Sequence, residues 1–281
     1  MSDSDKNVYQ TFSEPIEPHS QVSSCIDILN FREMIQSGEI SRIQVFYERI
    51  AQEIYNTRKK NYSWGFRVIE PDFNNFSERM VLVSKLYREE ELKDLNSVVF
   101  KLFVEFNNII LSTALHMHIP IRGIIQIGDA YRGNIRSRRP AVVSGKDPLI
   151  LSDLLKVFSI GEIFPTGFSE GLIPAVDIPF HFGADLCGAY TELHSIESIG
   201  IFMPLDFNRD NTADVTILSN MMVKAEVNGE HCFVCNWKEW MSEHTDCSTE
   251  NVIAFAESEA ASPSDSHGKK WHSLVRYSVH L

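Results

Sequence analysis

The sequence predicts an α+β sandwich of ferredoxin-like type, with a mixed, mainly antiparallel sheet covered by helices. Three observations predict it. The segment from Glu90 to His116 carries apolar residues at helical spacing and is stopped by Pro120. Two strand-like runs precede it, Trp64 to Glu70 and Phe76 to Leu86, joined through the turn formers of Pro71-Asp72-Phe73-Asn74-Asn75. A buried strand, Gln21 to Leu29, opens the series, and another, Ile121 to Ile127, closes it. Strand, helices, two strands, helix, strand is an order that lets the helices cover one sheet face.

The elements follow in turn. Residues 1–20 are polar and read as a flexible N-terminal arm. Phe31 to Gln36 reads as a short helical turn. Glu39 to Lys59 has helical period, with Ile43, Val45, Phe46, Ile50 and Ile54 on its apolar side. The long helix carries Leu95, Val98, Val99, Leu102, Phe103, Phe106, Ile109, Ile110 and Ala114. Residues 132–178 read as an insertion, with a basic piece at Arg136-Ser137-Arg138-Arg139-Pro140 and a short helix over Leu149 to Phe158. Gly183 to Ser195 reads as a helix. Gly200 to Met203, Val215 to Leu218 and Cys232 to Trp237 read as strands. The main domain is thus expected over 21–240. A C-terminal extension, 241–281, holds a Ser- and Ala-rich linker at 257–268 and a short helix from Lys269 to His280.

Composition narrows the function. The 281 residues are 43% hydrophobic and 11% aromatic, which supports a real core in one large domain or two small ones. A net charge of -12 argues against a general nucleic-acid binder, which needs a basic footprint. It leaves a nucleotide substrate open, because local cations can offset a negative protein. The best apolar run, Phe106 to Ile119, is too short to span a bilayer and contains Asn and His. The N-terminus lacks an apolar signal core. A cytoplasmic protein without a membrane partner is expected. Five cysteines without a secretion signal favour reduced thiols.

Three segments carry candidate chemistry. Cys25-Ile26-Asp27-Ile28-Leu29-Asn30-Phe31 puts an acid at a strand end before a short helix, where it can face a metal or serve as a helix cap. Ile119-Pro120-Ile121-Arg122-Gly123-Ile124-Ile125-Gln126-Ile127-Gly128-Asp129 reads as tight entry and buried strand. Gly183-Ala184-Asp185-Leu186-Cys187-Gly188-Ala189-Tyr190 opens the later helix. In order and spacing they resemble the catalytic domain of class III nucleotidyl cyclases. The likeness covers residues 22 to about 237 and is closest to the bacterial branch that includes the pyrimidine cyclases of antiphage defence.

The resemblance implies a nucleotide cyclase that converts a nucleoside triphosphate to a 3′,5′-cyclic nucleotide and pyrophosphate. It also implies two ions, Mg²⁺ or Mn²⁺, and a homodimer with its site at the interface. Asp27 matches the first metal carboxylate, with the Ile28 carbonyl beside it. The amides from Ile28 to Phe31 would face the triphosphate. Asn30 stands where the family has Gly; it tolerates a left-handed backbone but crowds a phosphate. Phe76-Ser77-Glu78-Arg79-Met80-Val81 puts Glu78 at the second metal position, where the family has Asp. Glu78 reaches farther by one methylene, roughly 1.5 Å, and reads equally as a strand-edge carboxylate. Asp72 could substitute if the register is shifted. In such a site two carboxylates hold the ions that acidify the 3′-hydroxyl and neutralise the triphosphate.

Asn74 matches the position that helps choose the base, and an amide chooses none by itself. Cys187 and Thr191 stand where better-known cyclases have a transition-state Asn and Arg. Arg79, Arg122, Arg132 or the 136–139 cluster would have to replace them. Asp129 reads as a strand-end residue. These departures also fit a second class of function, a catalytically degenerate cyclase-like domain that binds or senses nucleotide and regulates a partner. Cys232, Cys235, His244 and Cys247 have zinc-like spacing, but Cys232 to Trp237 reads as a strand, where residues three apart face opposite sides.

Overall fold

The computed structural model describes residues 10–13, 17–63, 72–76, 79–86, 90–140, 172–183, 193, 196–207, 218, 220–227, 229–244, 248–261 and 266–281. The chain divides into two compact units, His19–Ala130 with Gly183–Leu281, and Met1–Pro18 with Tyr131–Phe182.

The larger unit holds strands and helices in the order that the sequence predicts, while the expected strand Trp64 to Glu70 lies outside the described residues. Strand β2 (Glu17–Ile28) leads into α1 (Phe31–Gln36) and α2 (Ile40–Ser63). Then come β3 (Asp72–Phe76), β4 (Arg79–Leu86), a 3-10 turn at Glu90–Leu92, α3 (Lys93–His116) and β5 (Ile121–Pro140). In the sheet these strands lie in the order β3-β4-β2-β5. The first strand of the series therefore sits between the third and the fourth, as the β-α-β-β-α-β ferredoxin-like arrangement requires. The sheet continues past β5 through β7 (Gly200–Pro204), β9 (Glu230–Cys235) and β8 (Met222–Val227). The β2–β4, β3–β4, β7–β9 and β8–β9 pairs are antiparallel, and β5–β7 is parallel. Three helices follow: α4 (Trp237–His244), α5 (Thr249–Ala260) and α6 (Ser266–Ser278).

The core forms where the strand period of two meets the helix period of 3.6. Val22, Ile26 and Ile28 of β2 and Met80, Leu82 and Leu86 of β4 share one face. They belong to the same buried cluster as Ile43, Phe46 and Ile50 of α2 and Phe100, Phe103 and Ile110 of α3. Val45, Leu95 and Val98 are exposed instead, because each lies off the buried stripe of its helix. Helix α3 is apolar enough in composition to span a bilayer, but most of it is buried inside the protein.

The end of α3 is built to stop. His118 takes a left-handed conformation (φ 56°), and Ile119 N–H donates to Ala114 O at 2.8 Å. Arg42 of α2 donates to the Met117 and His118 carbonyls, so the helix end is satisfied before Pro120. At Gly123 of β5, a Cβ would come within 2.9 Å of Ile26 Cγ1 and 3.1 Å of Ile201 Cγ1. The glycine permits β5 to fit between its neighbours.

Several boundaries differ from the sequence reading. Residues 72–75, read as a turn, are strand, so the β3–β4 connection falls at 77–78. Strand β5 runs on to Pro140, so Asp129 is an exposed mid-strand residue rather than a strand end. The 257–268 linker is mostly helix: α5 ends at Ala260 and α6 starts at Ser266. Trp237 begins a helix instead of ending a strand. In the smaller unit, β1 (Gln10–Ser13) pairs antiparallel with β5 and β6 (Leu172–Gly183) also pairs with β5. Part of the N-terminal arm is therefore strand, and Gly183 ends a strand. The expected helix at 149–158 lies outside the described residues, as do 184–192.

Candidate functional site

The site grows from the end of β2. The β2–β4 ladder places Asp27 directly opposite Arg79, and β5 lies on the other side of β2 with Arg122 near its start. Arg122 Nη2 donates to Asp27 Oδ2 at 3.1 Å, and Arg79 Nε lies 3.9 Å from Asp27 Oδ1. Asp27 is buried, so this carboxylate, taken from water, is matched by two guanidinium groups. Arg122 is steadied by its second amino group, which donates to Ile196 O at 3.2 Å.

Beyond Asp27 the chain turns sharply. Ile28 is buried in the core, and Leu29 N–H donates to Pro120 O at 2.8 Å, which pins the turn to the end of α3. Asn30 has φ 59° and ψ 24°, the left-handed conformation that its short polar side chain tolerates. Helix α1 starts at Phe31, which packs half-buried against the core. The Asn30 amide meets His267 Nδ1 of α6 at 2.5 Å. His267 Nε2 is 2.8 Å from Glu259 Oε2, and Trp271 Nε1 donates to the same ring.

Cys25, one same-face step before Asp27, is buried among these charges. Desolvation pushes its thiol up to about 11; the Asp27 charge adds to this, and Arg79 and Arg122 oppose it. Asn74 occupies the Val81–Cys25 row of the ladder, two rows from that of Phe76, Arg79 and Asp27.

The structure thus brings together Asp27, Ile28, Asn30, Phe31, Arg79 and Arg122, with Asn74 two rows away. Glu78, Cys187 and Thr191 lie outside the described residues. Arg136 and Arg138 belong to the smaller unit, where they pair with Phe12 and Gln10. Sequence reasoning missed His267 and Glu259, because it placed both in a linker. The spacing of His267, Trp271 and Leu274 already carried the helical signal.

The expected metal set is only partly in view. Both Asp27 oxygens face guanidinium groups, and no group of three His, Cys, Asp or Glu side chains able to hold a metal occurs among the described residues. These residues do not by themselves fit two divalent ions. The zinc-like spacing fares similarly. Cys232 and Cys235 lie on β9, one half-buried and one fully buried. Burial pushes the Cys232 thiol up to about 11, with Glu230 adding to it, and pushes Cys235 higher still. A metal would need thiolates. Cys247 lies outside the described residues.

No family model and no curated protein matches the sequence. Among solved structures, the chain is similar to the adenylyl cyclase CyaB from P. aeruginosa, at 10% identity and a TM-score of 0.43, over 79% of this chain and 96% of that one. It is also similar to the guanylate cyclase domain of RhGC from Catenaria anguillulae in complex with GTP, at 12% identity and a TM-score of 0.41, over 78% and 95%. The guanylyl cyclase Cya2 gives 7% identity, a TM-score of 0.42, and coverage of 79% and 93%.

Proposed function

We propose that this protein is a nucleotidyl cyclase. It would take a nucleoside triphosphate, a pyrimidine one by the sequence resemblance, and form a 3′,5′-cyclic nucleotide and pyrophosphate as a signal in antiphage defence. One observation carries the reading. In a ferredoxin-like strand order, Asp27 stands one residue before the end of the first core strand, and the chain passes through a left-handed Asn30 into α1, as the resemblance implies for the metal carboxylate and the position where the family has Gly. Mg²⁺ or Mn²⁺ belongs to this reading through Asp27, Ile28 and Glu78. So do a homodimer with the site at its interface and a cytoplasmic location.

The test is chromatographic detection of cyclic product. Purified protein is incubated with ATP, GTP, CTP or UTP, with Mg²⁺ or Mn²⁺, beside Asp27→Ala. The expected outcome is a cyclic pyrimidine nucleotide that disappears in the variant. Triphosphate binding without product from any nucleotide would replace this reading with that of a degenerate, nucleotide-sensing domain. The pairing of Asp27 with two arginines is the observation that favours that second reading.

A further inference from the structure

The corner after Asp27 is built from parts that do not hold themselves. Asn30 stands at the N-cap of α1 with φ 59°, where capping residues are usually extended, and its side chain makes no capping bond. Helix α1 has 6 residues, too few to be stable alone. The hold comes from elsewhere in the fold. Met34 is buried in the core, Leu29 N–H donates to Pro120 O at 2.8 Å, and the Asn30 amide meets His267 Nδ1 at 2.5 Å.

Both polar contacts lead to the hairpin of α5 and α6. Phe255 of α5 stacks on His118, just before Pro120, with ring centroids 3.8 Å apart and planes 5° from parallel. His267 of α6 is braced by α5, its Nε2 lying 2.8 Å from Glu259 Oε2. The hairpin is itself fixed. Val252 and Ala256 of α5 and Trp271, Leu274 and Tyr277 of α6 are buried in the main core, and Tyr277 Oη donates to Ile199 O at 2.7 Å. An amide offers both a donor and an acceptor, so the Asn30–His267 bond can form with either ring tautomer. Asn30 follows directly on the strand end that carries Asp27, and a displacement of about 1 Å at such a site costs on the order of a hundredfold in rate.

We propose that His267 is a positioning residue: braced by Glu259, it clasps Asn30 and sets the geometry of the corner that carries Asp27, so that the C-terminal hairpin is part of the site. Its effect on turnover rests on the cyclase reading; its hold on the corner does not.

The experiment compares the full chain with His267→Ala, His267→Phe and His267→Gln, each also in an Asn30→Gly background, where glycine accepts the left-handed backbone without a side-chain bond. His267→Phe keeps a ring beside Trp271 and removes both nitrogens; His267→Gln keeps a hydrogen-bonding group. Two quantities are read: amide hydrogen exchange over residues 27–36, with α3 as the control for folding, and kcat and KM for cyclic product. In the Ala and Phe variants, exchange at the corner should quicken and kcat should fall, each by about tenfold or more, with α3 unchanged and most of the loss recovered in the Gln variant. In the Asn30→Gly background the same substitutions should change either quantity by less than about twofold. Unchanged exchange at the corner in a folded Phe or Ala variant overturns the proposal, and so does a loss just as large in the Asn30→Gly background. A loosened corner with normal kcat overturns the role in the site. A wild-type chain that makes no cyclic product from any nucleotide sinks the cyclase reading, and the exchange measurements still decide this one.

Discussion

The two faces of β2 show how one strand serves two purposes. On the helix-covered face, Val22, Ile26 and Ile28 are fully or almost fully buried among apolar side chains of α2 and α3. On the opposite face, Gln21, Ser23, Cys25 and Asp27 are buried as well, but the row is mostly polar and ends between Arg79 and Arg122. The first face gains from removing apolar surface from water. The second bears a desolvation cost that only correct pairing offsets. Stability is concentrated on one side of the strand, and charge is held in place on the other.

The comparison can be broken at its apolar side first. Phe103→Ala should destabilise the protein by about 3–5 kcal/mol, because Phe103 is fully buried beneath the sheet. Urea unfolding measures it, and a loss below 1 kcal/mol would mean that the helix-covered face is not the main core. On the polar side, Asp27→Asn should cost about 2–4 kcal/mol, since it leaves two guanidiniums without their carboxylate. A stabilised variant would show that the charge cluster is held by function and strained in structure.

Cys25 reports on the same polar face without mutation of its neighbours. With its thiol raised from 9.0 to about 11, the thiolate fraction at pH 8 is about a hundredfold lower than in the unfolded chain. Alkylation of Cys25 in the native protein should be slower by at least that factor. The sign of the linkage follows. The folded state keeps the proton longer, so this thiol's contribution to stability is complete below about pH 9 and is lost as pH rises through about 11. A Cys25→Ser control should show a flatter loss over that window. The smallest effect is Tyr277→Phe, which removes the 2.7 Å bond to Ile199 O and leaves the ring in place. About 0.5–1.5 kcal/mol is expected in thermal unfolding; no change would mean that this bond does not help to hold α6 against Ile199.

Local physics made much of the fold readable. The stripes of α2 and α3, the stop at Pro120 and the short helix Phe31–Gln36 are all set by residues within a few turns of one another. The Asp27–Asn30 corner was readable for the same reason: a strand end, a residue that accepts φ 59° and a helix start are contiguous. The strand Gln21 to Leu29 was readable as buried, but that its two faces are unlike shows only in the structure, where side chains point to opposite sides at every step.

What tertiary structure decided is which distant groups meet at that corner. Arg122 reaches Asp27 only because β5 lies beside β2 in the sheet. His267 reaches Asn30 from 237 positions away, through a helix whose first residues read as linker. Ser- and Ala-rich sequence at 257–268 carries too little apolar periodicity to announce a helix; the burial of Trp271, Leu274 and Tyr277 against the core fixes where α6 lies. Sequence by itself determined the elements and the acid at the strand end, because those depend on neighbours in the chain. The folded core alone decided that this acid would face two arginines and that His267 would meet Asn30 beside it, because long-range burial, and not local propensity, sets the position of α6.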